Sequence, residues 1–356
     1  MRTTSLFKQV MFISSLLLLS SPVIAVQNSS EQQADQTIAQ LYHSLHNMPK
    51  LDMTKRIVQI SEQLLGKPYV LGALGEGSLD QFDQAPLYRA DAFDCETYVD
   101  TVLALALAND SDTFKQCIRQ VRYRDGQVSF INRNHFTCLD WNQNNQRQYF
   151  VKDITNTFVN QMKQPVTQVA TALINKPGWY QGFSVDSIRV SGISKEEQAI
   201  RLARLQSKGK KLPAELSSIS YIPLSALFDS SGNANMFLFK QIPNAAIVEI
   251  VRPNWDLRKQ IGTSLNISHL GFAIWDNGHL IFRQASSHEG RTVDVSLIDY
   301  LRDTLESPTI KGINVQIVVP QRPLSARCTN PDVRFLDSAD KPRNVGGLSL
   351  VRNVRD

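Results

Sequence analysis

Residues 93–102 read FDCETYVDTV, which places Cys95 between two carboxylates, Asp94 and Glu96. Asp94 is a good N-cap residue, and Val99, Val102, Leu103 and Ala106 form one apolar stripe behind it. The spacing therefore predicts a helix whose first turn carries the sulfur. Free N–H groups and partial positive charge at such a helix start stabilise a thiolate, the form of cysteine that attacks a carbonyl. The same N–H groups can donate to the oxyanion of a tetrahedral intermediate. Asp94 and Glu96 act in the opposite sense, because nearby negative charge raises a thiol pKa, so the chemistry requires a base beside the sulfur. The plainer reading, a small apolar residue near a helix start, requires no partner.

Six histidines are available, and His269 lies in the most informative stretch, SHLGFAIWDNGHLIFRQAS (268–286). Asn277-Gly278 predicts a two-residue hairpin turn. With that turn Asp276 faces His279, Gly271 faces Gln284 and His269 faces Ser286, so His269 and Gln284 share one face as diagonal neighbours. His279 and Arg283 point to the other face. A three-residue turn would slip the register and present Arg283 instead. A nucleophile, a histidine base and a polar group that orients its ring form the general arrangement for covalent catalysis. Gln284 can hold a ring nitrogen but cannot stabilise imidazolium as a carboxylate would.

The stretches GKPYVLGALGEG (66–77), DAFDCETYVDTVLALALA (91–108) and SHLGFAIWDNGHLIFRQAS resemble an NlpC-type papain-like cysteine hydrolase, specifically its N-acetylmuramoyl-L-alanine amidase-like branch. The likeness extends to YRDGQVSFINRNHFTCLDW (123–141) and VDVSLIDYLRD (293–303), and so covers most of residues 50–320. It implies Cys95 as nucleophile, His269 as general base and Gln284 as the ring-orienting residue. Many relatives carry histidine at that third position, within an Arg-His-Ala-Ser run that here reads Arg283-Gln284-Ala285-Ser286. The resemblance further implies hydrolysis of a peptidoglycan amide, most specifically between (anhydro-)N-acetylmuramic acid and L-alanine, with no metal and no organic cofactor. Two alternatives stay open: cleavage of the D-glutamyl–diaminopimelate bond, and a catalytically inactive wall-binding module. His135 and Trp141 fall in a polar loop where an imidazole and an amphipathic ring could face a sugar–peptide ligand. Tyr221 could line the same cleft. For each of these three, ordinary packing is the competing reading.

The elements that must position these residues read as an α+β layout, with helices first and an antiparallel sheet afterwards. Helices are expected over 37–46, 53–65, 94–108, 151–164, 194–207 and 297–302. Strands are expected over 219–227, 235–240, 246–252, 269–275, 279–286 and 313–319, and a turn at Asp125-Gly126 between strand-like stretches. Residues 1–25 have a basic start, an apolar run and a small-residue ending at Ala25, the pattern of a cleaved secretory signal, with an uncleaved anchor as the alternative. Residues 26–36 read as a flexible N-terminus, 37–320 as one catalytic domain and 321–356 as a loop-rich tail.

Composition is that of an ordinary globular protein: 356 residues, 42% hydrophobic and 20% charged. Loss of Arg2 and Lys8 with the leader lowers the formal charge from +5 to +3. That is mildly basic, compatible with work near anionic polymers. No arginine-rich stripe with interleaved aromatics is present, which disfavours nucleic-acid binding. No later segment reads as a membrane span, so integral membrane association is not expected. With the leader cleaved near Ala25, the mature chain is expected to be periplasmic or secreted. Of the four cysteines, Cys95 is expected to be free, and a Cys117–Cys138 bridge is one pairing open to an exported chain.

Overall fold

The computed structural model describes residues 30–46, 52–324 and 327–330. The expected leader and most of the expected tail lie outside them. Helix α3 (Cys95–Leu107) is the centre of the architecture. Asp94 Oδ1 accepts from the Thr97 N–H at 2.8 Å, and the Asp94 N–H donates to Thr97 Oγ1 at 2.9 Å, a reciprocal capping box. The next turns, VLALAL, are apolar on every side and fully buried, which marks a helix enclosed by protein. Helices α1 (Ser30–His46), α2 (Met53–Gln63) and α4 (Ser111–Arg122) lie around it on one side.

The first of these begins at Ser30, seven residues before the expected start. Ala34 extends the buried stripe of Ile38, Leu41, Tyr42 and Leu45 by one turn. The polar residues between are anchored from a distance: Glu31 accepts from the Leu87 N–H, and Asp35 accepts from Tyr88 and pairs with Lys115. At Glu31 and Asp35, then, the polar side chains make tertiary contacts; residues 26–29 of the expected flexible segment lie outside the described residues.

An eight-stranded sheet forms the second layer, from β1 (Val151–Asp153), β2 (Gln168–Asn175), β3 (Ala214–Pro223), β4 (Ala246–Leu257), β5 (Thr263–Asp276), β6 (His279–Ser286), β7 (Arg291–Ser296) and β8 (Gly312–Val318). The order is β2-β3-β8-β4-β5-β6-β7, with β1 on β8, and these pairings are antiparallel. Leu270, Phe272 and Ile274 pack in the cluster that contains α3, while Val248, Ile250 and Phe282 pack in a second cluster on the other face. The helix Leu297–Arg302, with the residues expected, helps cover that second face. The α+β class and the central helices and strands match the sequence reading.

Four local expectations are corrected. Residues 151–164 form β1 and a short 3-10 turn rather than a helix, because Val151–Asp153 pair with Gln316–Val318. Residues 236–239 form a helical turn where a strand was expected; the run Met-Phe-Leu-Phe carries no period to decide between the two. Strands β2 and β7 were not anticipated. The Asp125-Gly126 turn is real, with φ of 52° and 69°, but only a single bridge, Tyr123 to Arg133, joins its flanks.

Cys117 pairs with Cys328, not with Cys138. The bond closes a separation of 211 residues and ties the segment after β8 to α4, where Leu324 also donates to the Leu107 carbonyl at 2.7 Å. Replacing Cys328 by serine is expected to lower unfolding stability by about 2–4 kcal/mol, through the freed chain entropy of the unfolded state. Urea melts of oxidised wild type and variant would test this; unchanged midpoints would reject a stabilising role.

Candidate active site

The register expected for the hairpin is the one observed. Asp276 pairs with His279, and the ladder runs to Phe272–Arg283. Asn277 and Gly278 have φ of 46° and 84°, the left-handed pair that such a turn demands. Gly271 sits where the strands close: a Cβ there would lie 2.7 Å from the Arg283 carbonyl and 2.8 Å from the Phe282 ring. Beyond that point β5 and β6 are no longer paired, and His269 and Gln284 occupy the opening. On its other side, β5 pairs Ile250 with His269 but Val251 with Ile267, so Ser268 is an extra, bulged residue beside the histidine. Bulges re-aim neighbouring side chains, and this one was invisible in the sequence pattern.

His269 Nε2 is hydrogen-bonded to Gln284 Oε1. A carbonyl oxygen only accepts, so this bond assigns the proton to Nε2 and leaves Nδ1 with a free lone pair. Phe282 meets the imidazole edge-on at 5.8 Å, and Tyr300 stacks on it at 6.2 Å. Burial pushes the His269 pKa below its ordinary value, and the Gln284 bond partly offsets this. The ring is therefore neutral at pH 7. Arg283 faces the other way, donating to Asp294, Ser61 and the Val58 carbonyl, a structural anchor.

Cys95 is half-buried, free, and the first residue of α3. It and His269 line one cavity of about 170 Å³, together with Glu96, His135, Phe136, Cys138 and residues 265–270. Burial drives the thiol pKa up, and Asp94 and Glu96 add to that; the N–H groups of Glu96 and Leu270 pull the other way without prevailing. The resting pair is thus a thiol and a neutral imidazole. The N–H of Leu270, which follows His269, acts on the sulfur, and this sets the sulfur beside the histidine strand.

The three other sequence candidates separate. His135 reaches the cavity; its Nε2 donates to the Phe130 carbonyl at 2.7 Å and its ring packs 4.6 Å from Trp179. Burial and Arg133 hold it neutral. Trp141 is fully buried and donates through Nε1 to Asp100 at 2.6 Å, and it lines a cavity adjoining the site together with Glu96 and His135. Tyr221 is buried as well, donates to Gln168 and lines a different cavity, with Leu224, Phe228 and Lys311. Tyr221 is therefore not brought to the Cys95 cavity, while Trp141 stands beside it with its Nε1 committed to a buried partner, Asp100, that the sequence does not show.

Two tyrosines went unnoticed. The Tyr69 phenol is pushed up to about 12 by burial and by the Cys95 and Asp94 charges, and the Tyr300 phenol to about 12 by burial. Both lie within electrostatic reach of the sulfur. The sequence signal for Tyr69 was its place in GKPY, whose backbone pairs with Phe93 just before α3.

This geometry can be set beside known proteins. A family profile described as AmiA-like, N-acetylmuramoyl-L-alanine amidase-like, matches residues 59–310. The chain belongs to the N-acetylmuramoyl-L-alanine amidase-like family. The matched span holds every candidate catalytic residue of this amidase-like protein, from Cys95 to Gln284. A crystal structure of a Legionella pneumophila protein is 55% identical, with a TM-score of 0.81, covering 83% of this chain and 99% of that one. An N-acetylmuramoyl-L-alanine amidase from Bacteroides uniformis is 20% identical, with a TM-score of 0.52, over 75% of this chain and 99% of that one. A protein from Bacteroides fragilis described as a putative xylanase is 23% identical, with a TM-score of 0.50, over 72% and 98%. These last two likenesses concern the fold alone. No curated protein matches the chain.

Proposed function

We propose that this amidase-like protein is an exported cysteine amidase with a papain-like core of the NlpC type. It would hydrolyse the peptidoglycan amide between (anhydro-)N-acetylmuramic acid and L-alanine. One observation carries the reading: a free thiol at a helix N-terminus shares a cavity with an imidazole whose Nε2 is held by Gln284 and whose Nδ1 is open. Family membership supports the substrate class.

Nδ1 of His269 takes the thiol proton as sulfur attacks the amide carbonyl, and backbone N–H groups around Cys95 hold the oxyanion. The protonated imidazole then gives its proton to the leaving amine. Water activated by the same ring hydrolyses the thioester and frees Cys95. None of these steps requires a metal or an organic cofactor. The leader-like pattern of residues 1–25 supports work in the periplasm or outside the cell, where wall substrates are found. Among the described residues no helix is long and apolar enough to cross a membrane.

Digestion of purified muropeptides followed by mass spectrometry tests the bond. Release of an intact stem peptide from the sugar is expected. Loss of only the distal peptide would assign the D-glutamyl–diaminopimelate bond instead. No cleavage at all, with binding retained, would assign a wall-binding module.

Gln284 has its own test. Gln284→Ala is expected to lower kcat/KM on the order of 10–100-fold, since the ring loses its orienting acceptor. This is less than the roughly 10⁴-fold cost of spoiling a carboxylate orienter, because a neutral amide contributes little to imidazolium stability. Gln284→His should recover most of the activity, and equal activity of Gln284→Ala and wild type would remove Gln284 from the site.

A further inference from the structure

Three carboxylates cluster at the start of α3, and the fold satisfies two of them. Asp94 accepts from the Thr97 and Gly72 N–H groups, each at 2.8 Å. Asp100 accepts from Trp141 and lies 3.7 Å from the Arg122 guanidinium. Glu96 has no side-chain hydrogen bond or ion pair with any described residue. It lines the Cys95–His269 cavity, and also an adjoining cavity of about 130 Å³ with Arg122, Arg133, Asn134 and His135.

A carboxyl group in such a place is a cost in the free protein. It works against the thiolate at Cys95, and burial together with Asp100 and Asp94 raises its own pKa. The proton transfers described above make no use of it. A helix-start glutamate can also serve the macrodipole alone, but that role suits a solvent-facing side chain better than one directed into the reaction cleft. Open acceptor oxygens at the junction of two cavities suit a group that arrives with the substrate.

We propose that Glu96 is a specificity-determining residue whose carboxyl oxygen accepts the N–H of an acetamido or peptide amide group of the substrate held across Cys95. An amide suits the place better than an ammonium group, because Arg122 and Arg133 line the same adjoining cavity. The inference rests on the hydrolase reading and deepens it.

The test is steady-state hydrolysis of N-acetylmuramoyl-L-alanine, with calorimetric binding of the same compound to a Cys95→Ala background. Glu96→Ala is expected to raise KM about tenfold to a hundredfold, as for loss of a hydrogen bond to a buried acid group, with kcat within about threefold. Glu96→Gln keeps an acceptor oxygen and should recover most of that loss, which a purely dipolar role would not allow. With an analogue carrying a 2-hydroxyl in place of the acetamido group, the penalty disappears if the acetamido N–H is the partner and persists if a peptide N–H is. An unchanged KM in Glu96→Ala, or a fall in kcat alone, overturns the proposal and leaves the amidase intact. Absence of wild-type turnover, with Cys95→Ala binding the compound and Cys95→Ala/Glu96→Ala failing to bind, removes the amidase and keeps the role of Glu96. No binding by Cys95→Ala overturns both.

Discussion

Replacing Cys95 by alanine is expected to lower kcat/KM for a muropeptide by a factor on the order of 10⁴ or more, leaving fold and ligand binding in place. The expectation follows from the mechanism: without the sulfur no thioester forms, and the oxyanion donors and the neutral imidazole contribute only the residual rate of a site that has lost its nucleophile. The fold should tolerate the change. The sulfur is half-exposed to a cavity, α3 is capped by Asp94 and Thr97, and alanine is a better helix former than cysteine. Turnover by Cys95→Ala at the wild-type rate would end the covalent mechanism. The raised thiol pKa adds a kinetic signature. Iodoacetamide labelling of Cys95 in the free protein should be slow at pH 7 and climb about tenfold per pH unit beyond pH 9, because only the thiolate reacts. A preformed thiolate–imidazolium pair would instead label at a rate that hardly changes between pH 5 and 8.

His269→Ala is expected to cost on the order of 10³–10⁴-fold in kcat, since both the acylation and deacylation steps pass a proton through this ring. Its pH dependence gives the sharper test. The groups that meet the imidazole are Gln284, Phe282 and Tyr300, with Cys95 across the cavity. Gln284 and Phe282 do not titrate, and Tyr300 is held protonated up to about 12. His269 is a base whose folded-state pKa lies below its ordinary value, so its catalytically competent neutral form persists below pH 6.5 and is lost only on further acidification. The acid limb of kcat/KM in the wild type should therefore have its midpoint under pH 6.5. No alkaline fall is expected before pH 9, since the thiol stays protonated until then. A bell with an alkaline limb near pH 8 would contradict a neutral resting pair.

Much of this site was written locally in the sequence. The cap at Asp94 is set by a residue three positions away, so the helix start and the place of Cys95 follow from FDCET alone. The register that brings His269 near Gln284 follows from Asn277-Gly278, because a two-residue turn fixes every later pair. The helix over 297–302 was equally local. The apolar alternation of β4, β5 and β8 sufficed to place those strands.

Other features depend on partners far along the chain, and there the same kind of reading fails. Val151–Asp153 is a strand because β8 lies beside it, and Ser30–His46 is helical in part because Leu87, Tyr88 and Lys115 receive its polar residues. Cys117 finds Cys328 across 211 residues, a choice that spacing cannot make. Trp141 turns inward to Asp100, and Tyr221 to Gln168, although both sit in polar surroundings in the sequence. The sequence by itself determined where Cys95, His269 and Gln284, the proposed nucleophile, base and orienting amide, would stand, since each position is fixed by contacts within a turn or a hairpin. Only the tertiary structure decided what surrounds them: the bulge at Ser268, the thiol raised by burial, His135 in the cleft and the unpaired Glu96. Burial and charge at a point depend on every element that packs there, and no window of sequence contains them all.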